Sequence, residues 1–116
     1  MTVLRTGGQI YYLRQATTAT EQAQGLGGRH AMPLYSGMLF IFPTASEQCF
    51  WMKDMHFPLD MIWLNSAKQV VYMQAAISPN TYPETFCPES PARYVIELNT
   101  GQAHAAHIIV GRTLKF

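Results

Sequence analysis

The residues able to do chemistry in this chain are those where charge is set among bulky apolar residues. Residues 37–65 read GMLFIFPTASEQCFWMKDMHFPLDMIWLN, with Lys53, Asp54 and Asp60 inserted among aromatic and aliphatic side chains. Glu97 repeats the pattern within RYVIELN. A carboxylate or ammonium removed from water is costly unless paired or hydrogen-bonded, so such residues mark either a structural ion pair or a working site.

Strand alternation sorts these groups. Trp51 and Lys53 share a face, Asp60 shares one with Ile62 and Leu64, and Glu97 shares one with Arg93 and Val95. The functional expectation is a pocket in which Lys53, Asp60 and Glu97 bind a small polar ligand, a peptide end or a partner protein. In it Arg29 braces the carboxylates and Trp51 forms an apolar wall. The structural expectation is that Asp60 and Glu97 accept bonds from Arg29, Lys53 or backbone amides and only fix the sheet. A third reading is an accessory protein acting through an exposed apolar patch.

As an enzyme, the chain would be a small hydrolase or lyase using Asp60 and Glu97 as general acid and base across one bond. No positioned histidine, oxyanion loop or nucleophile elbow accompanies the pair, so no catalytic residue is assigned. His104 and His107, three apart on an expected helix, could share a metal, but no third ligand of defined position completes the set; His30 and His56 are lone and loop-borne. No metal or cofactor is expected. Cys49 in a strand reads as core rather than as a nucleophile. Cys49 and Cys87 could form one disulfide or remain two thiols, and spacing does not decide.

The elements that must position these residues read as mostly β. Val3–Arg5 and Ile10–Leu13 flank the Thr6-Gly7-Gly8 turn signal as a hairpin. Thr18-Ala19-Thr20-Glu21 fits a capping box opening a short helix, which Gly25, Gly27 and Gly28 end. Strands follow at Gly37–Phe42, Phe50–Met52 and Leu59–Leu64, then at Gln69–Ala75 after a turn at Asn65-Ser66-Ala67-Lys68, which together suggest a meander. Ser78–Pro91, with four of the seven prolines, reads as a long loop able to lie over a pocket. Arg93–Leu98 is a strand, Thr100–Ala106 a short helix, and Ile108–Phe116 strand material. The expected fold is a single α+β domain over residues 1–116, mostly β: a small compact barrel or sandwich of antiparallel strands with two short helices.

Composition narrows the function classes. With 116 residues, 48% hydrophobic and 13% charged, the chain is long and apolar enough to bury one core. Its net charge of +1 supplies no broad basic field, so no nucleic-acid partner is expected, and Tyr11, Tyr12, Tyr72 and Tyr94 read as strand residues rather than base-stacking platforms. The seven methionines, spread over strands, read as core filler. Pro43, Lys53 and Pro58 interrupt the longest apolar run, which excludes a transmembrane segment. The N-terminus lacks a signal-peptide pattern, so the cytoplasm is the default expectation, or export if a leader has been removed.

Taken in order, EQAQGL followed by Arg29, then GMLFIF, FWMKDMHFPLDMIWL, and RYVIELNTG with a late Gly111 closely resemble the family called domain of unknown function 192. The resemblance runs from about Thr17 to Phe116 and rests most on the FWMK and PLD elements. It implies a small, mostly β domain with short helices, and it implies no activity, substrate or cofactor. The chain departs from the family pattern at Gly27, where methionine is usual, at Asp54 for asparagine, at Met55 for threonine, and at His107 for glycine. A carboxylate beside Lys53 changes the local charge, which puts in doubt any ligand preference carried over from relatives.

Overall fold

The computed structural model describes residues 1–116. Two glycines at positive φ, Gly7 (56°) and Gly8 (79°), turn β1 (Thr2–Thr6) back onto β2 (Gln9–Ala16), the backbone requirement of a tight hairpin. At Gly7 a Cβ would also run into the Ala106 carbonyl, so glycine is required there twice over. The capping box forms as the sequence predicts. Thr18 Oγ1 accepts the Glu21 amide at 3.1 Å, and Glu21 Oε1 accepts the Thr17 and Thr18 amides at 3.1 Å each, which holds its carboxyl below the usual value. Helix α1 (Ala19–Gln24) follows and ends at Gly25.

Helix α1 makes possible a parallel pairing, because it carries the chain from the end of β2 back to the start of β3 (Ser36–Ser46). The main sheet is therefore mixed rather than wholly antiparallel. β4 (Phe50–Trp51) leaves it, β5 (Leu59–Leu64) and β6 (Val70–Ile77) rejoin it, β7 (Thr85–Phe86) pairs only with β4, and β8 (Ala92–Asn99) inserts between β3 and β5. The strand order β1-β2-β3-β8-β5-β6 replaces the expected meander.

Two apolar clusters fill the two faces of this sheet. Leu39, Ile62, Ile96 and Leu98 belong to one, which Ala103 of α2 (Gln102–Ala105) and the C-terminal residues Ile108 and Leu114 cover. Phe40, Met61, Trp63 and Val95 belong to the other, beneath Leu26, Met32 and Met52. With cover on both sides, β5 is buried at all six positions, polar or not.

The C-terminal segment is not the strand expected over Ile108–Phe116. It makes two single bridges, Lys115 to Arg5 of β1 and Thr113 to Gln69 beside β6, so it touches both edges of a sheet that no strand pair closes into a barrel. The second helix is shorter than Thr100–Ala106. His107 follows it at φ 56°, and Asp54 has φ 60°, left-handed conformations that glycine and asparagine adopt at least cost. Two of the departures from the resembled family thus fall where backbone geometry favours the more usual residue. No helix is long and apolar enough to cross a membrane.

Candidate functional site

The β4–β7 ribbon is only two residue pairs long, too short to persist on its own, and three attachments hold it. The Cys49–Cys87 disulfide closes its end, settling the alternative that the sequence left open. Trp63 Nε1 donates to the Gln48 carbonyl at 2.7 Å. Phe50 packs edge-on to Phe40 and Trp63, with centroids 4.8 and 6.1 Å apart.

Between this ribbon and α1 lies a cleft of about 360 Å³. Gln22 to Gly27 form one wall, Gln48 to Trp51 and Lys53 to Met55 the other, Phe40 and Phe42 of β3 contribute rings, and Glu97 of β8 reaches it from the sheet. The Gly27 loop packs closely on residues 53 and 54: the Gly28 amide donates to the Asp54 carbonyl at 2.9 Å. A Cβ at Gly27 would lie 2.9 Å from the Gln24 carbonyl.

Glu97 faces Met38 across β3 and Met61 across β5, two buried neighbours without a hydrogen-bonding proton to offer. It is 4% exposed, and burial alone pushes its carboxyl from 4.5 up to about 8; no cation or hydrogen bond opposes the shift. Its oxygens have no partner in the chain but are not sealed from solvent, since no buried polar side-chain atom lacks a hydrogen bond. The side chain is thus a neutral acid at pH 7, and Glu97 lines the cleft.

The other predicted site residues divide. Trp51 and Lys53 line the same cleft, with Lys53 Nζ 5.6 Å from the Trp51 ring centroid, and both are exposed at its rim. Arg29 does not join them. It lies in a neighbouring depression with Arg14 and Glu21, separated from the cleft by the shared wall of Gln24, Gly25 and Gly27.

Asp60 lies on the other side of the sheet altogether. In the β5–β8 register Met61 stands opposite Glu97 and Asp60 opposite Leu98, so the two carboxylates leave opposite faces. Asp60 Oδ1 accepts the Ala76 amide at 2.8 Å and Oδ2 the Ala103 amide at 3.0 Å, tying β6 and α2 to the sheet. Near it, burial, then Tyr35, then Asp60 raise the Tyr11 phenol above its usual pKa, while its hydroxyl donates to Gln102 Oε1 at 2.9 Å. Asp60 therefore follows the structural expectation, and the general acid and base pair does not assemble.

Sequence reasoning missed the glutamines and phenylalanines of the cleft, and only the capping box that positions α1 pointed toward them. It also treated His30 and His56 as isolated, whereas their rings lie 5.0 Å apart. His104 and His107 are exposed on the opposite side of the sheet from the cleft, beside the buried Ala103, Ala106 and Ile108.

The overall fold recurs in solved structures. One, a protein of unknown function from Novosphingobium aromaticivorans DSM 12444, is 29% identical with a TM-score of 0.88, over 98% of this chain and 83% of that one. Another, from Sinorhizobium meliloti 1021 and described as a "putative transcription regulator", is 27% identical with a TM-score of 0.89, over 97% of this chain and 89% of that one. The chain belongs to the DUF192 family, described as Uncharacterized ACR, whose profile matches residues 2–116. No curated protein matches it.

Proposed function

We propose that the chain is a non-catalytic module that binds a small polar ligand, or the polar end of a peptide, in the cleft between α1 and the β4–β7 ribbon. One observation carries the reading: Glu97 is buried, has no partner within the chain, and opens to that cleft. A buried polar group normally finds its hydrogen bonds inside the protein, as Asp60 does, and the exception calls for a partner from outside. Trp51 and Lys53 at the rim would supply apolar contact and charge to the entering molecule.

The hydrolase or lyase reading needs two carboxylates flanking one bond, and Asp60 is not available to Glu97. A net charge of +1 gives no support for carrying over the regulator description of the Sinorhizobium protein as nucleic-acid binding. The Cys49–Cys87 disulfide favours an oxidising compartment over the cytoplasmic default.

The test is the thermal stability of Glu97→Leu. An acid kept for a ligand costs the empty fold, so the apolar variant should melt higher than the parent by several degrees. A variant melting lower would mean that Glu97 serves the sheet, and the binding reading would fall. A metabolite thermal-shift screen should then return compounds that stabilise the parent and not the variant.

A further inference from the structure

Hydrogen-bond polarity in the cleft restricts what it can hold. Gln22 Nε2 donates to the Ala16 and Ile41 carbonyls at 3.1 and 2.8 Å, Gln24 Nε2 to the Gly27 carbonyl at 2.9 Å, and Gln48 Nε2 to Ser46 Oγ at 2.6 Å. Gln22 thus has both amide protons engaged and Gln24 and Gln48 one each, while none of the three Oε1 atoms is hydrogen-bonded within the chain. The ionisable groups of the lining are Lys53, Asp54 and Glu97, of which the first two are exposed at the rim. The strands on either side of β8 oppose Glu97 with Met38 and Met61, neither of them titratable.

Around the buried Glu97 the cleft thus offers aromatic rings and, nearer its mouth, amide oxygens, while its one cation, Lys53, stands at the exposed rim. Aromatic faces carry negative charge density and attract cations, most strongly where water is excluded. An anion beside Glu97 would meet its carboxyl and the faces of Phe40, Phe42 and Phe50 with no cation to balance its charge.

We propose that the cleft takes the cationic head of an organic ammonium or guanidinium compound, with Glu97 as counter-ion at the buried end and Phe40, Phe42 and Phe50 as walls. The inference rests on the binding reading above and names its ligand class. Binding is a proton exchange: the neutral Glu97 acid gives its proton to solvent as the cation arrives, and a carboxylate–cation pair replaces a neutral acid with charge conserved. Lys53 stays at the exposed rim beside Trp51, where solvent screens its repulsion of the entering cation.

Isothermal titration calorimetry with methylguanidinium, n-butylammonium and tetramethylammonium, beside the uncharged methylurea and n-butanol and the anion butyrate, tests this on the intact chain. The cations should bind and the isosteres should not. Since Glu97 titrates at about 8, cation affinity should rise about tenfold per pH unit from pH 6 toward 8 and then level off. Buffers of different ionisation enthalpy should report release of close to one proton at pH 6. Glu97→Gln should abolish cation binding.

Failure of all three cations to bind, or equal binding by Glu97→Gln, overturns the inference. If methylurea or butyrate binds instead, and Glu97→Leu abolishes it, the cation assignment falls while the binding module stands. If Glu97→Leu is also less stable than the parent, both fall.

Discussion

Asp60 and Glu97 sit on neighbouring strands, one residue out of register with each other, and have opposite fates. Asp60 is 1% exposed with both carboxyl oxygens bonded to backbone amides from β6 and α2. Glu97 is nearly as buried and bonds to nothing in the chain. The face under Asp60 is closed by α2 and the C-terminal residues, whereas the face under Glu97 is closed by a short ribbon and a helix without a buried residue, which leave a cleft between them. A buried carboxyl is therefore not in itself a sign of function. What separates the two is whether the chain supplies the partner.

The comparison breaks most visibly at Asp60. Asp60→Ala strands the Ala76 and Ala103 amides without acceptors in the core, and each unpaired buried donor costs about 1–3 kcal/mol, beyond the space left by the carboxyl. A loss of about 5 kcal/mol is expected, comparable with the whole stability of a marginal domain. Urea unfolding measures it. A loss under about 1 kcal/mol would mean that Asp60 is not the clamp described, and the contrast with Glu97 would disappear.

The next effect falls on the cleft side alone. The Cys49–Cys87 bridge closes a loop of sequence separation 38, so replacing both cysteines by serine should cost about 4 kcal/mol by releasing the unfolded chain. Hydrogen exchange locates the change. Amides of 48–51 and 85–87 should lose protection while those of β5 and β8 keep theirs, because Trp63 and Phe50 provide the ribbon's remaining anchors. Uniform loss over both faces would show that the two sides do not fold as separable layers.

Local patterns in the sequence carried part of this architecture. Thr18 and Glu21 signalled the start of α1 at its true position, and Gly7-Gly8 the first hairpin. Alternation grouped Asp60 with Ile62 and Leu64 and Glu97 with Val95, pairs that do lie in the same layers. Alternation within one strand cannot relate the faces of two strands, however. That relation depends on β8 entering between β3 and β5 with Glu97 opposite Met61, a pairing across 36 residues with no local signature. Of the β4–β7 ribbon, β4 was legible within the expected strand Phe50–Met52, but β7 fell inside the expected loop Ser78–Pro91, because two residues carry no periodicity and cysteine spacing does not specify bonding. Arg29 was assigned to the carboxylates by charge alone, and the glycine loop that walls it off has no charge to reveal it.

Taken per pH unit, the effect at Glu97 is the smallest, and it is also the sharpest discriminator between the two faces. Glu97 titrates at about 8 in the native protein and near 4.5 in the unfolded chain, so between those values the native state holds a proton that the unfolded state has lost. Stability from this group is complete below pH 4.5, declines as pH rises, and is lost above 8, with a slope of at most about 1.4 kcal/mol per pH unit. Glu97→Gln keeps the shape and removes the proton, so its stability should lack that decline while otherwise following the parent. Urea midpoints for both proteins at intervals from pH 5 to 9 give the difference curve directly. A parent and variant that run parallel across the window would mean that Glu97 is already ionised and paired in the native state, and the two carboxylates would then share the same structural role.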